Sequence, residues 1–295
     1  MKIAILILLH EYNEQQKKLI RNLSKDFDIY VHIDKRTNIN ETDVADKNVY
    51  AYKKYNVYWG NYTQILATFF LFKTAANGKY DRYIFISGAD LPLKTNSEIK
   101  SFFANNNKEY FDFCKLPNSK WADENGGFDR IDYIHVRQIN RGKTWLFTKF
   151  FIKLINKINI KCIIPLMRKL GIRRKRLSGV DYYGGANWMD LTNNCVSQII
   201  TFAENHKKFV KKFRHTKCAD EIFFQTIILN YVKNIDVDNK CLRYIDWYSG
   251  PDYPRIMRIE DYPKLKKSDC LFARKFNTSV DSAIVDMICK DVECV

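Results

Sequence analysis

The amino-acid sequence predicts an α/β fold with a Rossmann-like N-terminal half and a mostly parallel central sheet. The run Ile3–Leu9 is apolar throughout, which is typical of a strand that is covered on both faces in a parallel sheet. Strand-like and helix-like segments then alternate over roughly the first 115 residues, the order that gives parallel strands with helices between them. With 295 residues, 46% of them hydrophobic, the chain can bury a large core.

Hydrophobic periodicity and end signals predict the elements of this first half. Thr95 and Glu98 have the spacing of a capping box at a helix start, and Gly78 suits a helix end. The fourth strand ends abruptly at Gly88 and an aspartate. In chain order the predicted elements are a strand over 3–9, a helix over 14–23, a strand within 28–36 that ends at Asp34, a strand over 48–52, a helix over 62–76, a strand within 82–93 and a helix over 95–103.

The middle of the chain carries a basic amphipathic insertion at about 140–178. Lys149, Lys153, Lys157 and Lys161 recur at every fourth residue among apolar residues, so on a helix they form one stripe. Such a helix either packs on the core with its lysines in water or lies in a membrane interface. Beyond it the sequence predicts a strand within 180–191, helices over 192–203 and within 216–230, and a strand within 242–247, and the tail includes 271-LFARKF-276.

Composition narrows the class of protein. The net charge of +16 predicts an anionic partner, such as a nucleotide, a phospholipid surface or a nucleic acid. The eight cysteines form no C-x-x-C pair, so we expect reduced thiols in a cytosolic protein and no zinc site. No apolar run approaches the ~20 residues of a membrane span. Because no repeat or linker interrupts the pattern, we predict one domain over 1–295.

Aspartates follow three predicted strands, where ligands of an open parallel sheet bind. They are Asp34, Asp90 and Asp246, and Asp90 is the most specific because Ser87-Gly88 precedes it in a sharp turn. A literal Asp-x-Asp occurs at 236–238, which we interpret as a solvated turn. One carboxylate is a poor magnesium site, so a bound diphosphate would need cations. The candidate cations are Arg255, Arg258, Arg274 and Lys275.

The stretch 219-ADEIFFQTIILN-230 begins with two carboxylates before an apolar helix. Asp220 has the type and place of a helix N-cap, and Glu221 then falls in the first turn.

Several blocks together resemble the core-2/I-branching β-1,6-N-acetylglucosaminyltransferase family, which also contains peptide O-xylosyltransferases. The two most distinctive blocks are 84-IFISGADLPLKTNSEI-99 and 219-ADEIFFQTIILN-230. The others, in the family's order, are 32-HIDKR-36, 57-VYWGNYTQILAT-68, 183-YGGANW-188, 242-LRYIDW-247 and 271-LFARKF-276. The family usually has a proline where this chain has Ala219, and the insertion at about 140–178 does not match.

The resemblance implies a GT-A-like fold, a UDP-sugar donor, inversion at the anomeric carbon, and no metal or other cofactor. It implies that Glu221 is the catalytic base and that Lys275, with Arg255 or Arg258, neutralises the UDP diphosphate. Asp34 and Asp90 would lie beside the donor nucleotide. Trp247, together with Asp220, would contact the acceptor sugar.

The resulting functional expectation is a bacterial-type, inverting, metal-independent glycosyltransferase that adds N-acetylglucosamine to a glycan or lipid-linked glycan of a surface polysaccharide. It would be cytoplasmic and peripheral at the anionic inner face of the membrane, without a nucleic-acid partner. One alternative keeps the fold and uses UDP-xylose or UDP-galactose. Another class of protein, a non-catalytic nucleic-acid- or membrane-binding protein, would leave the paired carboxylate and cations without a purpose.

Overall fold

The computed structural model describes residues 1–119, 121, 125–135, 154–155 and 157–292. Its strands are β1 (Ile3–Leu9), β2 (Asp28–Ile33), β3 (Val49–Tyr52), β4 (Arg82–Ser87), β5 (Asp90–Pro92), β6 (Lys108–Phe111), β7 (Cys114–Lys115), β8 (Tyr183–Gly184), β9 (Met189–Thr192), β10 (Asp236–Asp238), β11 (Arg243–Ile245) and β12 (Phe272–Arg274). Its α-helices are α1 (Glu14–Leu23), α2 (Glu41–Val44), α3 (Tyr62–Ala76), α4 (Asn96–Ala104), α5 (Asp129–Asp132), α6 (Ile164–Lys169), α7 (Asn193–Asn205), α8 (Lys207–Lys212), α9 (Asp220–Tyr231), α10 (Tyr262–Lys266) and α11 (Ser282–Val292).

A seven-stranded sheet with the order β10-β6-β9-β4-β1-β2-β3 forms the centre of the molecule. β9 runs antiparallel to β4 and β6, and the other pairings in this sheet are parallel. Helices α1, α4 and α11 pack on one face, and α3, α7 and α9 pack on the other. Covered on both sides, the middle of β1 is fully buried, which is why its sequence is a continuous apolar run. The predicted α/β fold with a mostly parallel sheet is confirmed.

A smaller sheet with the order β11-β12-β5 is fixed to the central one by a buried ion pair. Arg243 of β11 donates a 2.7 Å hydrogen bond from Nη2 to Oδ1 of Asp190 in β9, and neither side chain is exposed. The same guanidinium donates to the carbonyl of Phe85 in β4. Because β12 pairs antiparallel with β5, with Arg274 opposite Asp90, the end of β12 lies beside the start of β5.

One sequence prediction about a strand end is confirmed, and one about a turn was wrong. The strand predicted within 82–93 ends before Gly88, because the backbone leaves the central sheet after β4 and enters the smaller sheet at β5. The Gly88 N–H still bonds the Leu8 carbonyl at the end of β1, so the bend between the two sheets is anchored. The Asp-x-Asp at 236–238 is not a turn but edge strand β10, because its backbone pairs with Lys108–Tyr110.

Half of the predicted lysine stripe can be described. Lys149 and Lys153 lie outside the described residues. Lys157 and Lys161 lie in a helical segment that runs through a π-turn, Asn159–Ile163, into α6. Within the described ranges no helix is long and apolar enough to cross a membrane. The single-domain organisation stays a prediction.

Candidate active site

Glu221 lies in the first turn of α9, next to the loop that follows β3. The side chain is 31% exposed, and its carboxylate is ion-paired with the guanidinium of Arg130 from α5. That guanidinium also lies over the Trp121 ring, 4.3 Å from its centroid. The carboxylate is therefore held in one orientation by a cation, while part of it remains open to a ligand.

Two glycines allow the backbone to approach this group closely. A Cβ at Gly184 would lie 2.2 Å from the Trp121 ring, and a Cβ at Gly185 would lie 2.0 Å from the carbonyl oxygen of Asp112. The Gly185 N–H donates a 2.9 Å hydrogen bond to the carbonyl of Glu221. A larger side chain at either position would displace the ring or the strand, so the glycines are required by close packing.

Asp220 does not cap the helix as the sequence predicted. The N-cap position is Ala219, which already has helical backbone angles, and the chain reaches it through Cys218 at φ +46°. The Asp220 carboxyl turns inward and accepts a 2.8 Å hydrogen bond from the Asn187 amide. Burial, and then the charge of Glu221, raise the pKa of Asp220 to about 7. Asp220 is only 5% exposed, and its predicted acceptor contact stays a prediction.

Asp90 is fully buried at the start of β5 and holds the bend between the two sheets. It accepts hydrogen bonds from the Ser87 N–H at 2.9 Å and from the Ser87 hydroxyl at 3.1 Å. A guanidinium nitrogen of Arg274 lies 3.3 Å from Oδ1 of Asp90, the oxygen that also accepts from the Ser87 hydroxyl. Arg274 is stacked over the Trp188 ring at 3.9 Å, so its charge is fixed in place as well.

Of the four candidate cations, the three that the resemblance assigns to the diphosphate differ in what they already bind. Arg255 donates to Asp261 at 2.8 Å and to Glu260 at 3.0 Å. Arg258 donates to Asp252 at 3.2 Å and to a backbone carbonyl. Lys275, by contrast, has no side-chain ion pair or hydrogen bond with any residue that the structure describes. Its backbone pairs with Arg255, so the free ammonium lies on the segment next to the occupied guanidiniums.

Asp34 follows β2 and is 3% exposed. It accepts hydrogen bonds from the Arg36 side chain at 3.0 and 2.5 Å and from the Val57 N–H at 3.1 Å. Burial alone would raise its pKa, but the bonds from Arg36 and the backbone outweigh it and lower the pKa. Arg36 stacks over Tyr58 at 3.9 Å, and the carboxylate thereby shapes the 57–60 loop.

The segment 184–188 connects the Glu221 group with the Asp90 group. At one end its backbone bonds the Glu221 carbonyl, and at the other Trp188 carries Arg274 on its ring. Between them the Ala186 carbonyl accepts a 2.8 Å bond from Gln225 of α9. The Glu221 carboxylate and the guanidinium of Arg274, the residue before Lys275, thus lie at opposite ends of one five-residue segment.

The family model for the core-2/I-branching enzyme matches residues 3–266. The chain belongs to the core-2/I-branching enzyme family. This is a family of glycosyltransferases, so the predicted resemblance is confirmed.

Curated relatives and solved structures are distant. Xylosyltransferase oxt of Drosophila melanogaster is 23% identical over 287 residues, covering 87% of this chain and 29% of that protein. Human xylosyltransferase 1 is 22% identical over 320 residues, covering 97% of this chain and 30% of that protein. The chain therefore spans about a third of the length of these relatives. A glycosyltransferase involved in the glycosylation of the major capsid of PBCV-1 matches at 11% identity with a TM-score of 0.37, over 99% of this chain and 100% of that one. The galactosyltransferase LgtC matches at 10% identity with a TM-score of 0.40, over 99% and 97%.

Two exposed tryptophans of this core-2/I-branching family member lie on loops whose backbone is bonded to segments that carry candidate site residues, through Asp246 to Arg255 and through Gly60 to Cys218. Trp247, predicted to contact the acceptor, is 48% exposed in the turn after β11. Trp59 is 75% exposed on the 57–60 loop, whose Gly60 carbonyl accepts a hydrogen bond from the Cys218 N–H before α9. Trp59 lies in the block 57-VYWGNYTQILAT-68, which resembles the family, but the sequence alone predicted no role for it.

Sequence reasoning also assigned no role to Arg130 or Trp121 and left Arg274 among several cations. Arg130 lies 91 residues before Glu221, so no local spacing links the two. The one sequence signal that could have pointed to Trp121 and Arg130 is the glycine pair in YGGANW, because glycine in a strand often marks the close approach of another group to the backbone.

Proposed function

We propose that the chain transfers a sugar from a UDP-sugar to a hydroxyl group of a glycan acceptor, with inversion and without a metal ion. The observation that carries this proposal is the partly exposed Glu221 carboxylate, held by Arg130 and linked by 184–188 to a separate group of cations. This reaction needs a base that takes the proton from the acceptor hydroxyl, and it needs positive charge that stabilises the leaving diphosphate of the donor.

Glu221 takes the proton from the acceptor hydroxyl as its oxygen attacks the anomeric carbon. The bond from that carbon to the UDP oxygen breaks, and the electron pair leaves with UDP. Lys275 compensates the charge that develops on the diphosphate, with the side chains of the 255–258 segment around it. One base and one displacement invert the anomeric carbon, as in inverting glycosidases.

The packing around Gly88 supports a mechanism without a metal ion. Enzymes that hold a metal at this bend need a second carboxylate two residues before Asp90, which is position 88. A Cβ there would lie 2.8 Å from Leu9 Cδ1 and 3.1 Å from Gln16 Cγ. The single carboxylate of Asp90 would bind a divalent metal ion only weakly, and it already contacts Ser87 and Arg274.

N-acetylglucosamine is our first choice of donor sugar, since the family resemblance implies it. Xylose is the second, because curated relatives that align over 87–97% of this chain are xylosyltransferases. Thermal stabilisation by UDP-N-acetylglucosamine, UDP-xylose or UDP-galactose in the presence of EDTA separates these donors and tests metal independence. The bacterial surface-polysaccharide role stays a prediction that acceptor screening tests.

The Glu221→Gln variant tests the assignment of the base. It should lower turnover by about 10²–10⁴-fold and leave UDP-sugar binding unchanged, because the amide cannot accept the proton. Glu204→Gln, a surface change on α7, is the matched control and should keep full activity. A Glu221→Gln enzyme that turns over at the wild-type rate, or an enzyme for which no UDP-sugar is a donor, would remove this proposal.

A further inference from the structure

The positive charge of this chain is concentrated in one stretch. Residues 133–180 contain 13 of the 49 Lys and Arg residues and none of the 33 Asp and Glu residues. This stretch therefore supplies 13 of the 16 net positive charges, and the remainder of the chain is close to neutral. A charge excess this local predicts one anionic contact surface, instead of a general attraction to anions.

The described part of this stretch also exposes a dense set of aliphatic side chains. Along the helical segment that ends with α6, and just after it, eight large aliphatic residues are each 41–61% exposed. They are Leu154, Ile155, Ile158, Ile160, Ile163, Leu166, Leu170 and Ile172. Exposed apolar groups of this density are typical of a surface that contacts another apolar phase.

The cations of the same segment fall into two groups. The four arginines bind back to α5: Arg168 lies 3.2 Å from Asp129 and Arg176 lies 2.7 Å from Asp132. Arg173 also contacts Asp132, and Arg174 donates to the Ile131 carbonyl. The second group consists of exposed lysines that have no ion-pair partner among the described residues. Its members are Lys157, Lys161, Lys169 and Lys175. One group anchors the segment to the protein, and the other is free to bind an external anion.

We propose that this segment, 157–175, binds the surface of an anionic lipid bilayer, with its aliphatic side chains in the acyl region and its lysines at the lipid phosphates. Basic helices with exposed aliphatic residues bind such interfaces through the burial of apolar area and the electrostatic attraction of their lysines to anionic lipids. A nucleic acid would satisfy the lysines but would leave the six exposed aliphatic residues of 157–175 in water.

The anchoring group connects this surface to the candidate active site. Helix α5 carries Asp129, which holds Arg168, and also Arg130, which holds Glu221. A lipid-bound segment 157–175 therefore keeps the Glu221 carboxylate near the headgroups. Resting on the proposed function, this makes the acceptor a glycan on a membrane lipid, whose hydroxyl is presented at that height.

Vesicle flotation of the full chain tests the proposal without using catalysis. The wild type should float with vesicles of phosphatidylglycerol and phosphatidylcholine at low salt, and should not float with phosphatidylcholine alone. The triple variant Lys157→Glu, Lys161→Glu, Lys169→Glu should bind at least about 100-fold more weakly, since each basic residue near an anionic surface contributes about fivefold in affinity. Leu166→Gln with Leu170→Gln tests the apolar term and should also weaken flotation.

Controls separate this proposal from its alternatives and from the proposed function. The triple change Lys47→Glu, Lys264→Glu, Lys267→Glu alters the net charge equally on other exposed surfaces and should leave flotation within about twofold. Equal loss in that control, absence of flotation at low salt, or tight RNA binding without vesicle binding would each overturn the proposal. Glu221→Gln should float like the wild type, so a chain that floats but transfers no sugar contradicts only the proposed function.

Discussion

Replacing Arg130 by Met is the sharpest test of how the candidate base is held. The change removes the cation paired with Glu221 and leaves an apolar side chain that can still lie on Trp121. Two unit charges about 4 Å apart interact by about 4 kcal/mol at an effective dielectric constant of about 20. The side chains are 16% and 31% exposed, so solvent screening reduces this to about 1.5–3 kcal/mol. We therefore expect kcat to fall by about 10- to 100-fold.

Initial rates of UDP release, at saturating donor and varied acceptor, measure this effect. The KM for the UDP-sugar should not change, and Arg130→Lys should recover part of the loss because it restores the charge without the planar stacking. In the Glu221→Gln background, Arg130→Met should change the residual rate by less than about twofold, since it acts through Glu221. A loss of the same size in both backgrounds would show that Arg130 does not position the carboxylate, and the reasoning would fail.

Three further outcomes follow from single contacts. Lys275→Met should weaken UDP binding, measured by calorimetry, by about 10- to 100-fold, which is the contribution of one charged hydrogen bond. The control Lys264→Met should not weaken it, and equal UDP affinity of the two variants would exclude a contact of Lys275 with the diphosphate. Gly88→Asp should lower the free energy of unfolding by about 1–3 kcal/mol, because the new Cβ meets Leu9. Mn²⁺ should not stimulate sugar transfer by this variant, and Mn²⁺-dependent transfer would show that a second carboxylate at position 88 can be accommodated. Burial lowers the pKa of His32 to about 4, so the folded state favours the neutral ring. The contribution of His32 to the free energy of unfolding is therefore fully present above pH 6.5, and about 3 kcal/mol of it is lost as the pH drops to 4. Urea unfolding of His32→Gln should lack this part of the slope, and parallel pH curves for both proteins would refute it.

The N-terminal half could be predicted because its signals are local. The apolar run of β1 and the Thr95–Glu98 capping box each lie within a few residues, and the structure has both. The predicted strand ends also place Asp34 directly after β2 and Asp90 in the bend that follows β4. Membership of the family was legible from the SGADLPL and ADEIFFQT blocks for the same reason.

What sequence reasoning missed depends on contacts between distant parts of the chain. Asp220 has a good capping residue type, but the left-handed turn at Cys218 and the amide of Asn187 redirect its side chain. The Asp-x-Asp at 236–238 looks polar and turn-like, yet it pairs with Lys108–Tyr110, over 120 residues away. Tertiary pairing overrides local propensity in both cases.

The buried pair between Arg243 and Asp190 has a consequence for building chimeras. The pair joins β11 of the small sheet to β9 of the central one, and both side chains are completely buried. A hybrid that takes 240–276 from a relative without the matching residue in 189–192 would inherit one uncompensated charge, at a cost of about 3–5 kcal/mol. A stable hybrid between relatives therefore needs crossover points that keep both members of this pair from the same parent.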